Sequence, residues 1–249
     1  MESISSKQNK YIKHLKALSS DGAYRDLCGE YICDGLKLLE EAVKSGAAIT
    51  GVLWSGGPSL DLPPEVRQYL AEGTLLKYAS PLEESPGPLF TVRKIQKPPG
   101  DDISRLLLLD RVQDPGNVGT VIRTACAFGI DAVILINGCA DPYNPKTVRS
   151  AMGALFRQCV LEMSAAEAVN FIRGHKLQLY GAALSDEAED IRALNLGRAA
   201  VAIGNEGRGL SEQLLELCDG LLVIPMGAGT QSLNAAVSAA IVMWEMFKQ

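Results

Sequence analysis

Only two histidines occur in the chain, His14 and His175, and its six cysteines form no C-x-x-C pair. A zinc site draws on clustered Cys and His ligands, so no metal is expected. Cys28, Cys33, Cys126, Cys139, Cys159 and Cys218 are scattered, several within apolar patterns. They read as free thiols of a reducing compartment. No run of about eighteen apolar residues is present to span a bilayer, and the opening stretch MESISSKQNKYIKHL has no apolar signal core. The expectation is a cytoplasmic protein with no membrane partner. Neither histidine lies near a pattern that would complete a Ser/His/Asp or Cys/His nucleophile. G-x-G-x-x-G and Walker spacings are missing too, which disfavours a Rossmann dinucleotide site or a phosphate-binding P-loop.

What is present is enough for a full core: 249 residues, 47% of them hydrophobic. The net charge of −5 speaks against wholesale contact with a phosphate backbone. Local charge differs. Lys7, Lys10, Lys13 and Lys16 recur at three-residue spacing, and Arg93, Lys94 and Lys97 form a second cluster. Either can be a solvated face or a site for an anionic partner.

Composition divides the chain. Residues 1–97 read as a small α/β unit: a lysine-faced helix over 1–20, a break at 19–22, a strand at 30–33, a helix at 34–45 and a strand at 49–54. A helix around 64–72 and a strand at 75–78 follow. A proline-containing polar linker spans about 91–103, with KPPGDD at its centre. Over 104–249, apolar runs of strand length alternate with helical patterns, beginning at 105–109 with four leucines after Arg105. That alternation predicts an α/β domain, a parallel sheet with helices on both faces.

Two loops near the end stand out. GNEGRG (204–209) follows the apolar run 199–203, and PMGAGTQS (225–232) follows the run 221–224 and opens onto a helical pattern at 233–247. Glycine-rich loops at the carboxyl ends of adjacent strands are where α/β sheets bind ligands. Gly204, Gly207, Gly209, Gly227 and Gly229 can adopt positive φ or admit a ligand close to the main chain, and they can equally be plain turn residues. Ser232 and Asn234 suit an N-cap. A third stretch, DRVQDPGNVGTVIRT, joins the first strand and helix of this domain; Asn117 suits the cap of that helix. Arg123 stands among Val, Ile, Thr, Ala and Cys, either as a snorkelling surface residue or as a clamp for phosphate. Glu206 is either a solvated loop carboxylate or a partner for substrate or for Arg123.

Taken together, QDPGNVGTVIRTACAFG (113–129), AIGNEGRGLS (202–211) and IPMGAGTQSLNAAVSAA (224–240) resemble the three ordered motifs of the SpoU/TrmH family of SPOUT RNA ribose methyltransferases. The intervening YNPKTVRSAMGALFR (143–157) is also similar. The resemblance covers the second half of the chain; the first unit looks like the ribosomal-protein-like RNA substrate-binding domain of many members. It implies a C-terminal deep trefoil knot, S-adenosyl-L-methionine as cofactor, and a homodimer formed through the methyltransferase domain. The main chain of Gly204, Ile224 and Leu233 would hold the cofactor, with Asn205, Met226 and Leu184 nearby. Asn117, Arg123, Glu206, Ser232 and Asn234 match the polar positions around the reacting ribose. Lys7, Lys10, Lys13, Arg93 and Lys94 would contact RNA, ribosomal ahead of transfer RNA. Departures are small: Ala235 and Ala236 where valine is common, and Gly116 where a larger residue is. A non-catalytic RNA-binding assembly factor is the rival reading, and an unrelated nucleotide enzyme a more distant one.

Overall fold

The computed structural model describes residues 1–85, 87–94, 99–100, 102–227 and 232–249. Lys97, part of the expected linker, and Gly229 of the second glycine loop lie outside the described residues. Packing divides the chain into two units, Met1–Ile95 with Tyr143–Phe156, and Gln96–Pro142 with Arg157–Gln249.

The first unit runs β1 (Glu2–Ile4), α1 (Lys10–Ser20), α2 (Gly22–Cys28), β2 (Glu30–Asp34), α3 (Leu36–Lys44), β3 (Ile49–Trp54), β4 (Arg67–Ala71), α4 (Gly73–Ala79) and β5 (Leu89–Arg93). Its mixed sheet has the order β1-β4-β3-β5-β2, with β5 antiparallel to both neighbours. Alternation of side chains sends Ile32, Leu53 and Leu89 to one face, where they meet Ile12, Leu15 and Leu18 of α1 and Leu75, Leu76 and Ala79 of α4. Each fully buried leucine there contributes roughly 1.5–3 kcal/mol of transfer free energy. Tyr31, Cys33, Val52 and Phe90 face the other way, onto Leu39 and Ala42 of α3.

Three expectations for this unit are corrected. The lysine-faced helix starts at Lys10, where Asn9 accepts from the Tyr11 N–H, and residues 2–4 pair with β4 instead. The break at 19–22 is immediate re-entry into α2, capped by Asp21. Most informative is the reversal at 64–79. The expected helix is strand β4 and the expected strand is helix α4. RQYLA fills the slot between β1 and β3, a pairing invisible to local periodicity, while Leu75, Leu76 and Ala79 form a helical stripe too short to recognise.

The second unit begins with β6 (Arg105–Asp110), α5 (Pro115–Ala127) and β7 (Ala132–Ile136). The segment Tyr143–Phe156, with α6 (Pro145–Ala151), clusters with the first unit, its Val148 and Phe156 joining the Tyr31 and Leu39 core. Then come β8 (Val160–Glu162), α7 (Ala165–Gly174), β9 (Gln178–Ala182), β10 (Glu189–Asp190), β11 (Ala199–Ile203), α8 (Glu212–Leu215), β12 (Gly220–Val223) and α9 (Ala235–Phe247). Every pairing in the order β10-β12-β9-β11-β6-β7-β8 is parallel. Leu106 and Leu108 meet α7 and α8 on one face of this sheet. On the other, α9 packs on β6 and β11, and α5 on β7 and along α9. The α/β fold with helices on both faces is thus as expected, and β6 and β11 lie centrally with their carboxyl ends side by side.

Candidate active site

At those carboxyl ends the chain turns abruptly. Asn205 and Gly209 form an isolated antiparallel bridge, with N–H to O distances of 3.1 and 2.8 Å. Gly209 sits at φ +65°, a conformation glycine adopts without strain. Gly204 needs to be glycine for another reason: a Cβ there would lie 2.2 Å from the Gly209 carbonyl carbon and 2.4 Å from the Leu210 nitrogen. The Asn205 side chain accepts from the N–H groups of Gly207 and Arg208 and donates to the Arg111 carbonyl, pinning the loop to the end of β6.

Beneath the loop lies a network that sequence reasoning missed. Asp110, fully buried, accepts from the Ser211 N–H at 2.6 Å and from the Asn137 amide at 2.9 Å. Arg111 holds a positive φ of 59° and donates to the Gly209 carbonyl. The signal was a carboxylate directly after four leucines of a buried strand, a burial that demands partners.

A cavity of about 380 Å³ opens beside the loop. Leu184, Gly204, Asn205, Ile224, Met226 and Leu233, the whole expected cofactor set, line it, together with Glu206 and Ser232. Ligand sites of this size are common for small molecules. Its apolar walls, with the main chain of Gly204 and Asn205 along one side, suit a flat heterocycle.

The polar residues converge around Asn117. Helix α5 starts earlier than expected: Asp114 is the N-cap, accepting from the Asn117 N–H at 2.9 Å, with Pro115 in the first turn. Asn117, expected to be the cap, is thereby a first-turn residue whose side chain is free to reach outward. Its amide nitrogen donates to the Glu206 carboxylate, and its oxygen accepts from the Asn234 amide at 3.1 Å. Asn234 meanwhile caps α9, accepting from the Ala236 and Val237 N–H groups at 2.9 and 3.3 Å. One asparagine therefore joins both glycine loops. Arg123 is not part of this group. It is exposed on α5 and has no hydrogen bond or ion pair among the described residues. Ser232 is exposed at the mouth of the cavity.

Along α5 and α9, beyond Asn117 and Asn234, runs an open hollow of about 530 Å³ lined by Thr120, Thr124, Phe128, Val237 and Trp244. Trp244 and Phe247 are each 50% exposed, although both rings contact Phe128 at 5.8 and 5.6 Å.

The expected RNA contacts separate in the first unit. Lys10 and Arg93, from the two basic clusters, line one cleft. Lys7 lies 4.4 Å from the Tyr78 ring, and Lys13 is exposed on α1. Lys94 is engaged, bound to Asp26 at 2.6 Å and lying over the Tyr143 ring at 4.4 Å.

Residues 104–244 match the SpoU rRNA Methylase family. The 23S rRNA (guanosine(2553)-2′-O)-methyltransferase RlmP of Bacillus subtilis (strain 168) is 33% identical over 248 residues, spanning 99% of each chain. The 23S rRNA (uridine(2479)-2′-O)-methyltransferase of Streptomyces viridochromogenes is 30% identical, over 97% of this chain and 91% of its own. Among solved structures, the SpoU methyltransferase AviRb from Streptomyces viridochromogenes in complex with AdoMet has a TM-score of 0.85 at 26% identity, covering 97% of this chain and 98% of that one.

Proposed function

Since the chain belongs to the SpoU rRNA methylase family, we propose that it transfers a methyl group from S-adenosyl-L-methionine to a ribose 2′-hydroxyl of ribosomal RNA. The observation that carries this reading is the cavity beside Gly204, whose lining includes all six residues matched to cofactor contacts and opens next to the Asn117, Glu206 and Asn234 group.

The main chain of Gly204, Ile224 and Leu233 would hold the cofactor's adenine and methionine parts, with Asn205, Met226 and Leu184 at its sides. When bound, S-adenosyl-L-methionine supplies an electrophilic methyl on a sulfonium. What the chain supplies is position and polarity for an in-line attack by the 2′-oxygen, and rate gains from such positioning are large. Asn117 fixes the Glu206 carboxylate at the positive end of α5, a placement the helix dipole favours. Ser232 and Asn234 orient the ribose. Arg123 presents a planar fork of hydrogen-bond donors. Its free, exposed fork suits the substrate's phosphate, and binding there draws charge toward the reacting oxygen.

The chain forms a homodimer through the methyltransferase domain in this reading. Support comes from the half-exposed Trp244 and Phe247 on the α5 and α9 face, since clustered exposed aromatics are the usual mark of an interface. A C-terminal trefoil knot is part of the same reading, supported by the family match over residues 104–244. The first unit binds the RNA substrate, with Lys7, Lys10, Lys13 and Arg93 available and Lys94 contributing less because Asp26 neutralises it. No helix among the described residues is long and apolar enough to cross a membrane, and the protein acts in the cytoplasm, where its substrate is made.

Transfer of labelled methyl to total RNA from a strain lacking the protein tests the proposal. The expected result is one new ribose-methylated position in ribosomal RNA. Incorporation confined to transfer RNA, or none despite cofactor binding, would overturn it.

A further inference from the structure

The two rRNA relatives act, by name, on different nucleotides, guanosine and uridine, at similar identity to this chain. A shared ribose chemistry leaves the choice of RNA segment to other surfaces. In the first unit, Lys10 and Arg93 line one large cleft of about 850 Å³ whose other residues have no role in the reading above.

The cleft lies where α1 leaves part of the sheet uncovered. Its floor is a row of hydroxyls: Thr50 and Thr91 oxygens are 2.6 Å apart, and the Tyr11 hydroxyl is 3.4 Å from that of Thr91. Thr91 is 1% exposed. Burial pushes the Tyr11 phenol well above its usual range, so it remains a donor. Gly51 makes room for the Tyr11 ring over this floor, because a Cβ there would lie 2.8 Å from the Tyr11 oxygen. One wall is aromatic, with Tyr69 stacked on Tyr11 at 4.2 Å between ring centroids.

Charge converges at the rim from three elements. Lys10 comes from α1, Arg67 from β4 and Arg93 from β5, all exposed, and none has an ion pair among the described residues. Of the two carboxylates lining the cleft, Glu30 is held by His14 at 2.9 Å, which leaves Glu65 as the unengaged one. Cations in excess around hydroxyls and an aromatic wall match one chemistry. Phosphodiester oxygens seek the cations, a base stacks on the ring, and hydroxyls serve base edges of either polarity as donors or acceptors.

We propose that this cleft binds one unpaired nucleotide of the substrate RNA, with its phosphates on Lys10, Arg67 and Arg93 and its base on the Tyr69 ring within reach of the Thr50 hydroxyl, which Thr91 holds in place. The proposal rests on RNA being the substrate. A duplex would not enter, because paired bases present no free face to the tyrosine. The nucleotide is an anchor that selects the RNA segment, separate from the nucleotide that is methylated.

The test uses the full chain and short fluorescent RNA pentamers, single-stranded or paired with their complements. Arg67→Gln removes a charge from an exposed side chain, and Thr50→Val removes a hydroxyl while keeping shape. Wild-type protein should bind single strands at least about tenfold more tightly than duplexes. Arg67→Gln should weaken single-strand binding about fivefold and make the slope of log affinity against log salt shallower by about 0.7, the loss of one phosphate contact. Thr50→Val should alter the ranking among the four homopentamers, and 4-thiouridine pentamers should crosslink to the peptide that contains Tyr69. Unchanged affinity and slope in Arg67→Gln, equal binding of duplexes, or crosslinks confined to other peptides would overturn the proposal. Methyl transfer is read in parallel. If these pocket effects appear without methylation, the methyltransferase reading fails and the pocket stands; intact methylation with an unmoved KM for RNA in both variants sinks the pocket alone.

Discussion

The side-chain amide of Asn117 donates to the carboxylate of Glu206, tying the first turn of α5 to the glycine loop after β11. Because Asn117 also accepts from Asn234, loss of either partner loosens both loops. Asn117→Ala and Glu206→Ala should each lower single-turnover methyl transfer by about tenfold or more. Combined, they should do little more damage than the worse single change, a coupling of roughly 0.5–3 kcal/mol typical of residues in one network. Strict additivity in the double variant would show that the contact has no catalytic consequence. Asn117→Asp tests the sign of the charge, since it sets a carboxylate against Glu206 and should be worse than Asn117→Ala.

Arg123 offers the opposite case, a residue with no structural work among the described residues. Substitution at such exposed positions shifts stability by no more than about 0.5 kcal/mol. Arg123→Ala should therefore melt with the wild type yet lose about a hundredfold or more in methyl transfer, with weaker RNA binding. Arg123→Lys keeps the charge but not the planar fork, and should recover only part of the activity. Near-normal transfer by Arg123→Ala, with unaltered RNA binding, would remove it from the site.

Trp244 tests the proposed dimer. Half its surface is exposed beside Phe247, on the face that also carries Asn117 and Asn234 at one end. Trp244→Glu places a charge in the middle of that face, and burying an unpaired charge costs several kcal/mol. Sedimentation should show a dimer for the wild type and a folded monomer for the variant, with methyl transfer reduced in step. A wild-type monomer that is fully active would refute the interface.

The sequence made the second unit far more legible than the first, for a physical reason. Strands of a parallel sheet are buried on both faces, so 106–109, 132–136 and 199–203 appear as uninterrupted apolar runs. β4 has only Ala71 fully buried and reads as polar, while α4 is too short for its period to show. In the site, the polar residues were identifiable one by one through their loops and resemblance. Which of them touch was not: Asn117 read as a cap, and only the Asp114 cap and Pro115 reveal that its side chain is available. Arg67 was passed over because its neighbours Lys10 and Arg93 are distant in the chain and meet only in the folded sheet.

Gly204 and Gly209 separate two uses of glycine in one loop. At Gly209 the need is conformational: φ is +65° but space around a Cβ is open, so Gly209→Ala should destabilise by about 1–2 kcal/mol, the penalty for a left-handed alanine. At Gly204 the need is room. A methyl 2.2 Å from the Gly209 carbonyl carbon meets backbone, not a side chain that can rotate away. Gly204→Ala should destabilise by at least about 3 kcal/mol, the upper range for overpacking, and should pry open the turn that the Asn205–Gly209 bridge closes. Because the same approach shapes the cavity wall, calorimetric titration should show cofactor binding abolished in Gly204→Ala and merely weakened in Gly209→Ala. Equal melting temperatures and equal affinities for the two variants would mean that the turn from Gly204 to Gly209 is looser than the geometry shows.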